Sequence, residues 1–422
     1  MVQAVLGKCK NAEHAGNVAG IIRSVWMKDC KLKRALLKVY DGLWDLSAAI
    51  SGKYTDLYIK LKPIAKDKIV FDSFGGQGYG DNPKYIAEEI HRQALNWDMV
   101  WLTNDINIEL PSYLRAVRYD SDAARRELGT AKFFVKNRRN GMKTPKKKGQ
   151  IFLQTWHGGL GFKRGEAAAE EKLSERYLAA AIKDGQECDA IISSCALQTE
   201  DYRQNFWLNP ETEILEFGQP RCDALWGREH QEIAQKVRQE LNIANDKAII
   251  LYTPTFRDEV TTDCYSLDYH GILNAFEKKY GKEFVLVVRL HPNVLRLCDF
   301  LQYNEKIING SKYPDIQELF VASDFLISDY SSAVFDFSLL NKPVFLCMLD
   351  FEEYKEIRGF TEVFDICPFP KAFSNAQMLT VIEQFHYDEY MRAFYQFKTE
   401  IWQPFDEGAA AQKTVDWLRQ QI

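Results

Sequence analysis

The sequence predicts an α/β protein of two doubly wound halves facing each other across a cleft. Three observations carry this. Short apolar runs alternate with helix-forming segments along most of the chain. The alternation breaks at a Gly-Gln-Pro-Arg turn, Gly218 to Arg221, and then restarts. The length, 422 residues, suits two domains of ordinary size.

The first half opens with Lys68 to Ser73 (KIVFDS), an apolar run stopped by Gly75, Gly76, Gly78 and Gly80. Pro83 to Leu95 reads as a helix and Met99 to Thr103 as a strand, so strand, glycine loop and helix point to a parallel sheet. Lys132 to Val135, Ile151 to Thr155, Ala190 to Ser193 and Glu213 to Phe217 continue it into a Rossmann-like unit. After the turn comes a polar helix, Glu229 to Leu241. The second unit then runs through strands Ala248 to Tyr252, Phe284 to Arg289, Phe325 to Ser328 and Val344 to Cys347, with helices Tyr269 to Tyr280, Ile316 to Val321 and Ser332 to Leu339 between them. Val381 to Ile422, rich in aromatics and helix formers, would cross back over the body. The expected boundaries are 1–60 for a basic amphipathic helical segment, 61–217 and 218–385 for the two halves, and 386–422 for the C-terminal helices. Two facing halves place a ligand between the carboxyl ends of their strands.

Composition narrows the function. Lys and Arg number 54 against 59 Asp and Glu, a net charge of −5, which does not suit a nucleic-acid binder. No apolar stretch approaches the roughly 20 residues that span a bilayer, and the first 30 residues lack the order of a secretory signal. The expectation is an intracellular protein without a transmembrane helix. Nine cysteines, scattered singly without a C-x-x-C pair, suggest reduced thiols and no zinc site or disulfide framework. Charge is nonetheless uneven. Leu128 to Gly165 carries ten Lys or Arg and no acid, which predicts an electropositive surface. Arg23 to Lys38 combines six basic residues with Trp26, Leu32, Leu36 and Leu37 at roughly helical spacing, suiting an anionic bilayer surface or a polyanion. Packing of its apolar side on the body, with a solvated basic face, is at least an equal alternative on spacing alone.

Of seven histidines, two stand at strand ends. His157 follows Ile151 to Thr155 and precedes Gly158 and Gly159; His291 follows Phe284 to Leu290 and precedes Pro292. An imidazole titrates near neutrality and, protonated, stabilises phosphate oxygens, so one base and one electrostatic clamp are available. Ser328 to Phe337 (SDYSSAVFDF) is a strand end entering a helix, where Ser331, Ser332 and free backbone N–H groups would bind phosphate and Asp336 a hydroxyl. The plainer alternative is an ordinary serine cap. Arg221 would clamp a diphosphate in bidentate fashion. Pro254 and Thr255, in Tyr252 to Arg257, border the same cleft, and Arg257 and Arg289 divide equally between ligand contacts and structural ion pairs. The loop Gly75 to Gly80 lacks the Gly-Lys-Ser/Thr ending of a P-loop and reads as a turn on the acceptor side.

Taken in order, QTWHGG (154–159), GQPRCD (218–223), YTPTFR (252–257), RLHP (289–292) and SDYSSAVFD (328–336) resemble the CDP-glycerol glycerophosphotransferase family of teichoic-acid-type polyol-phosphate transferases and polymerases. The resemblance spans about Lys68 to Asp350. It implies a GT-B-like fold, an acceptor-side first half, a nucleotide-donor-binding second half and peripheral attachment to the cytoplasmic face of the cell membrane. By motif, His157 would deprotonate the acceptor hydroxyl and His291 would stabilise charge on the phosphate or leaving group. Trp156, Gly158, Gly159, Leu160, Arg221, Pro254, Thr255, Pro292, Asn293, Ser331, Ser332 and Asp336 would line the donor site. Family members commonly follow the histidine-glycine turn with threonine and proline, whereas Gly159 and Leu160 stand here, a loop shaped for another acceptor or polyol. Without the long additional N-terminal domain of large polymerases, a primase, a short-chain transferase or a compact polymerase are the expectations.

The resulting expectation is an enzyme that moves glycerol phosphate, or a related polyol phosphate, from a CDP-activated donor to a hydroxyl of a lipid-linked glycan or polymer acceptor, releasing CMP, in teichoic-acid-like or capsular polymer synthesis. No cofactor or metal cluster is evident in the sequence, and Mg²⁺ held by the diphosphate itself stays open. The expected partners are the donor, the acceptor and an anionic membrane surface, with no nucleic acid; homo-oligomerisation stays open. The rival readings are a GT-B glycosyltransferase using a nucleotide sugar and a non-catalytic membrane-bound nucleotide-binding scaffold.

Overall fold

The computed structural model describes residues 52–139, 144–227, 229–257, 263–290 and 301–422. The basic segment Arg23 to Lys38 and the motif residues His291, Pro292 and Asn293 lie outside them. The architecture is α/β, GT-B-like, with two open parallel sheets.

The first sheet contains β1 (Ala65–Asp72), β2 (Asp98–Thr103), β3 (Leu114–Arg118), β4 (Ala131–Lys136), β5 (Ile151–Gln154), β6 (Ala190–Ile192) and β7 (Glu213–Leu215), in the order β3-β2-β1-β4-β5-β6-β7. The second contains β8 (Ala248–Thr253), β9 (Phe284–Val288), β10 (Ile307–Asn309), β11 (Phe325–Ser328), β12 (Val344–Cys347) and β13 (Lys371–Ala372), in the order β10-β9-β8-β11-β12-β13. Every pairing is parallel, as βαβ crossovers require. Helices on both faces explain why the central strands are continuous apolar runs: all six residues of β8 (AIILYT) are buried. Both sheets reverse strand order once, between β1 and β4 and between β8 and β11. Those are the crevices where ligands of such sheets bind.

The sequence pattern does not announce β3, β10 and β13. All three are edge strands; β10 and β13 have three and two residues, and β3 (LRAVR) carries two arginines, so none needs an unbroken apolar run.

Two crossings join the lobes. Gly218 to Arg221 leads forward, and residues 402–409 lead back to the helix Ala410–Gln420. That helix buries Val415 and Leu418 in the first lobe's core beside Ile69 and Phe71, and Trp417 Nε1–H donates to Glu213 at 2.9 Å. The crossings touch each other: Gln219 N–H donates to Asp406 Oδ1 at 2.7 Å, and Gly218, at φ +83°, leaves only 2.8 Å between where a Cβ would stand and Asp406 Cα. A side chain at 218 would push them apart.

The basic run Leu128 to Gly165 requires a correction. Lys136 and Arg139 are not surface charges: both are buried, Lys136 on Asp184 and Arg139 on Asp184 and Glu166. The acids that neutralise them come from other elements, which a count along the chain misses. Lys146 likewise pairs with Asp189 at 2.5 Å. Among the described residues no helix is long and apolar enough to cross a membrane.

Candidate active site

His157 stands just past β5, beside the crevice of the first sheet. Its backbone approach is fixed by Thr155, whose N–H donates to Lys136 O at 2.8 Å. The ring's Nδ1 lies 2.7 Å from the carbonyl oxygen of Asn137. A carbonyl can only accept, so Nδ1 carries the hydrogen and Nε2 is left with its lone pair, the state a proton acceptor needs. The residue is exposed by surface area, yet protein surrounds the ring closely enough to strip water from its charged form. That desolvation lowers its pKa below the ordinary histidine value; Arg221 and Lys163 push the same way, against the Asn137 hydrogen bond and Asp81. The shift favours the neutral ring.

The preceding residue is strained. Trp156 sits at φ +52°, a region costly for a bulky side chain. Its ring is wedged between His157, Phe206 and the Arg139 guanidinium, at 4.4, 5.0 and 5.5 Å.

Gly158 and Gly159 then carry the chain against the second lobe. Gln198 Nε2 donates to both of their carbonyls at 2.8 Å. A Cβ on Gly158 would stand 2.8 Å from Ser332 Oγ, and one on Gly159 3.0 Å from Ser194 Oγ. Gly158 permits the close approach of the two lobes, and Gly159 that of the loop to Ser194 within the first lobe. Leu160 and Phe162 continue into the second lobe's core, where Phe162 meets Phe335 and Phe364 at 5.2 and 5.6 Å. Leu160 therefore anchors the loop from within and does not form the cleft wall, because its apolar side chain is taken up by that core.

Across the cleft, the crevice between β8 and β11 is laced by Asp329. It accepts from Thr255 N–H at 2.8 Å, Thr255 Oγ1–H at 2.5 Å and Arg257 Nη2–H at 2.8 Å. Arg257 also pairs with Asp350 at 2.6 Å and lies 4.9 and 4.8 Å from the Tyr330 and Tyr354 rings. Arg257 is thus a structural ion pair, whereas Arg289 makes neither expected contact among the described residues: it donates hydrogen bonds to the backbone carbonyls of Gly310 and Tyr313. Pro254 is buried beside Thr255. Ser331 and Ser332 are half-buried at the cleft edge, and Ser331 Oγ accepts from Ala333 N–H at 3.2 Å. The helix they open, Ala333–Ser338, has only six residues, so its dipole is small.

Arg221 and Asp336 are placed otherwise than a diphosphate clamp and a free hydroxyl acceptor. They bind each other: Arg221 Nε–H donates to Asp336 Oδ2 at 2.8 Å and Nη2–H to Oδ1 at 3.2 Å. Asp81 approaches Arg221 Nη1 at 3.6 Å and Gln317 donates to Asp336 at 3.3 Å. Burial of both charges makes the pair the energetically consistent arrangement. Asn82 completes it, accepting Arg221 N–H at 3.0 Å and donating to Gln219 Oε1 at 2.6 Å and to the carbonyls of Thr155 and Trp156.

The structure therefore gathers His157, Gly158, Gly159, Ser332, Arg221 and Asp336 in one place, with Thr255 and Ser331 on the opposite crevice. Asp81, Asn82, Asn137 and Gln198 belong to the site and were not singled out by sequence. Asp81 and Asn82 follow the glycine loop and open the helix Asp81–Arg92, a signal that was present; Asn137 acts through its carbonyl, which leaves no mark on residue type. Among the described residues no group of three His, Cys, Asp or Glu is placed to hold a metal.

Comparison with known proteins adds a second line. The family model of CDP-glycerol:poly(glycerophosphate) glycerophosphotransferase matches residues 56–420. A teichoic acid poly(glycerol phosphate) polymerase of Staphylococcus epidermidis is 32% identical over 385 residues, 87% of this chain and 52% of the polymerase, so the chain spans about half of that relative's length. A teichoic acid glycerol-phosphate transferase of Staphylococcus aureus is 27% identical over 85% of this chain and 95% of its own. Among solved structures, the wall teichoic acid polymerase TagF, in a histidine-to-asparagine form soaked with CDPG, superposes with a TM-score of 0.78 at 28% identity, covering 91% of this chain and 97% of that one.

Proposed function

The chain belongs to the CDP-glycerol:poly(glycerophosphate) glycerophosphotransferase family, and from that premise we propose that it transfers glycerol phosphate from CDP-glycerol to a hydroxyl of a teichoic-acid-type acceptor. The observation that carries the reading is His157: an imidazole at a strand end whose Nδ1 is engaged by the Asn137 carbonyl, which leaves Nε2 available, next to Gly158 where the loop meets Ser332 of the other lobe. Nε2 takes the proton of the acceptor hydroxyl, and the freed oxygen attacks the glycerol-bearing phosphorus. The bond from that phosphorus to the bridging oxygen breaks, and CMP leaves with the electron pair. Most of the acceleration is positioning and charge stabilisation, as is usual for phosphoryl transfer.

In this proposal Thr255, Ser331 and Ser332 face the diphosphate, while Arg221 and Asp336 act on it through the lobe geometry that they set. His291, with Pro292 and Asn293, stays in the proposal as the second histidine on its sequence context alone. Any Mg²⁺ would be carried by the diphosphate. Attachment to the cytoplasmic face of a membrane, a lipid-linked acceptor and a role in capsular polymers are finer parts of the same proposal. The helix over 52–61 supports attachment: Tyr54, Leu57 and Leu61 are 62, 53 and 72% exposed, with Lys53, Lys60 and Lys62 beside them.

The test is release of CMP from CDP-glycerol in the presence of a lipid-linked acceptor mimic, across pH, for wild type and His157→Ala. Acceptor-dependent release that falls at least about a hundredfold in the variant is expected. Because the His157 pKa is lowered and the neutral form is the active one, the acid limb of kcat/KM should fall below the ordinary histidine value of about 6.5. Release of UDP from a UDP-sugar instead, or turnover indifferent to His157→Ala, would overturn the reading.

A further inference from the structure

Behind the His157 loop lies a buried charge cluster that the proposed reaction does not use. Asp184, on the helix Glu175–Glu187, has no exposed side-chain surface. It accepts from Lys136, from Arg139 Nη1–H at 3.2 Å and from Gln154 Nε2–H at 3.1 Å. Each donor reaches the histidine loop. Gln154 Oε1 accepts the N–H of the strained Trp156 at 3.1 Å. Arg139 covers the Trp156 ring, with its other donors spent on Glu166 at 3.0 Å and on the carbonyl of Phe206 at 3.1 Å. Lys136 offers its carbonyl to Thr155 N–H and leads directly to Asn137, whose carbonyl fixes the imidazole hydrogen.

We propose that Asp184 is the positioning residue for His157, holding Gln154 and the segment Lys136 to Arg139 so that the imidazole keeps its hydrogen on Nδ1 and its lone pair toward the cleft. Two cations share one buried carboxylate, with Glu166 as the second acid. A purely structural role would be met by pairing each cation separately on its own element, whereas here three donors converge on one residue and all three continue into the same loop. The Trp156 backbone at φ +52° persists because its N–H, its ring and the next side chain are all held from this cluster. Removing the carboxylate frees Gln154 to turn and releases the loop to relax.

This inference rests on the proposed function only for its kinetic arm. The protein is labelled with ¹⁵N-histidine, the His157 signal is identified by its loss in His157→Ala, and the tautomer is read from the nitrogen shifts of the whole chain. Wild type should show the Nδ1–H form alone. Asp184→Asn, and separately Gln154→Met, which leaves both ion pairs intact, should shift His157 to a mixture of tautomers. Both should also lower kcat for CMP release at least tenfold with KM for CDP-glycerol held within twofold. Folded variants that lose thermal stability yet keep the single Nδ1–H form and a kcat within twofold of wild type would overturn the proposal. If Asp184→Asn does not fold, Gln154→Met decides alone; if wild type releases no CMP, the functional reading fails and the tautomer still decides this one.

Discussion

Arg221 and Asp336, 115 positions apart, form a two-point ion pair at 2.8 and 3.2 Å in the ground between the lobes. Arg221 belongs to the crossing and Asp336 to the helix beyond the serines, so the pair fixes how the His157 side faces the Ser332 side. Removing Arg221 leaves the buried Asp336 charge uncompensated, and removing Asp336 leaves buried Arg221 only the more distant Asp81 at 3.6 Å. Arg221→Met and Asp336→Leu should each cost about 3–5 kcal/mol, while the double variant should cost clearly less than their sum. Urea denaturation of the four proteins measures this. Additive losses would mean that the pair is not the unit that holds the lobes.

The exposed stripe of the helix over 52–61 leads to a second expectation. Lys147 Nζ donates to Lys62 O at 2.9 Å, which brings the basic segment 146–148 to the end of that helix. Apolar residues ringed by lysines suit an anionic bilayer, and such binding weakens with salt. Tyr54→Ser with Leu57→Ser and Leu61→Ser should reduce sedimentation with vesicles containing anionic lipid at least fivefold at low salt, without changing CMP release toward a water-soluble acceptor. Equal sedimentation of wild type with neutral and anionic vesicles would remove the electrostatic part of the argument.

Much of this architecture is legible from residue order. The central strands are apolar runs between glycine or proline breaks because both faces of a parallel sheet are covered; β8 and β9 could be read directly. Strand β13, with two residues, could not. The histidine-glycine turn was visible because a titratable side chain at a strand end is rare, but the pairing of Arg221 with Asp336 was not, since nothing local ties residues so far apart. Lys136 and Arg139 show the same limit from the other side. A run of basic residues says nothing about acids delivered by another helix, and Asp184 turns two expected surface charges into buried ones.

The crossing back from the second lobe adds a pH dependence. Burial pushes the Asp406 carboxyl up to about 7, and Asp336 and Asp223 push it further, against the Gln219 N–H bond and Arg221. Burial likewise raises Asp223 to about 6, although it caps the final helix by accepting from Ala410 and Ala411 N–H at 2.9 and 2.8 Å. A carboxyl whose folded pKa exceeds the unfolded value of about 3.9 stabilises the fold in its protonated form. That contribution is complete below about pH 4 and is lost as the pH rises through 6 and 7. The melting temperature should therefore decline from pH 5 to pH 8. Asp406→Asn, neutral at every pH and still able to accept from Gln219 N–H, should flatten the decline, raising Tm at pH 8 by about 2 °C or more with a smaller change at pH 5. Thermal unfolding at the two pH values decides it: an equal loss of stability at both would mean that the Asp406 charge, and not its protonated form, holds the crossings together.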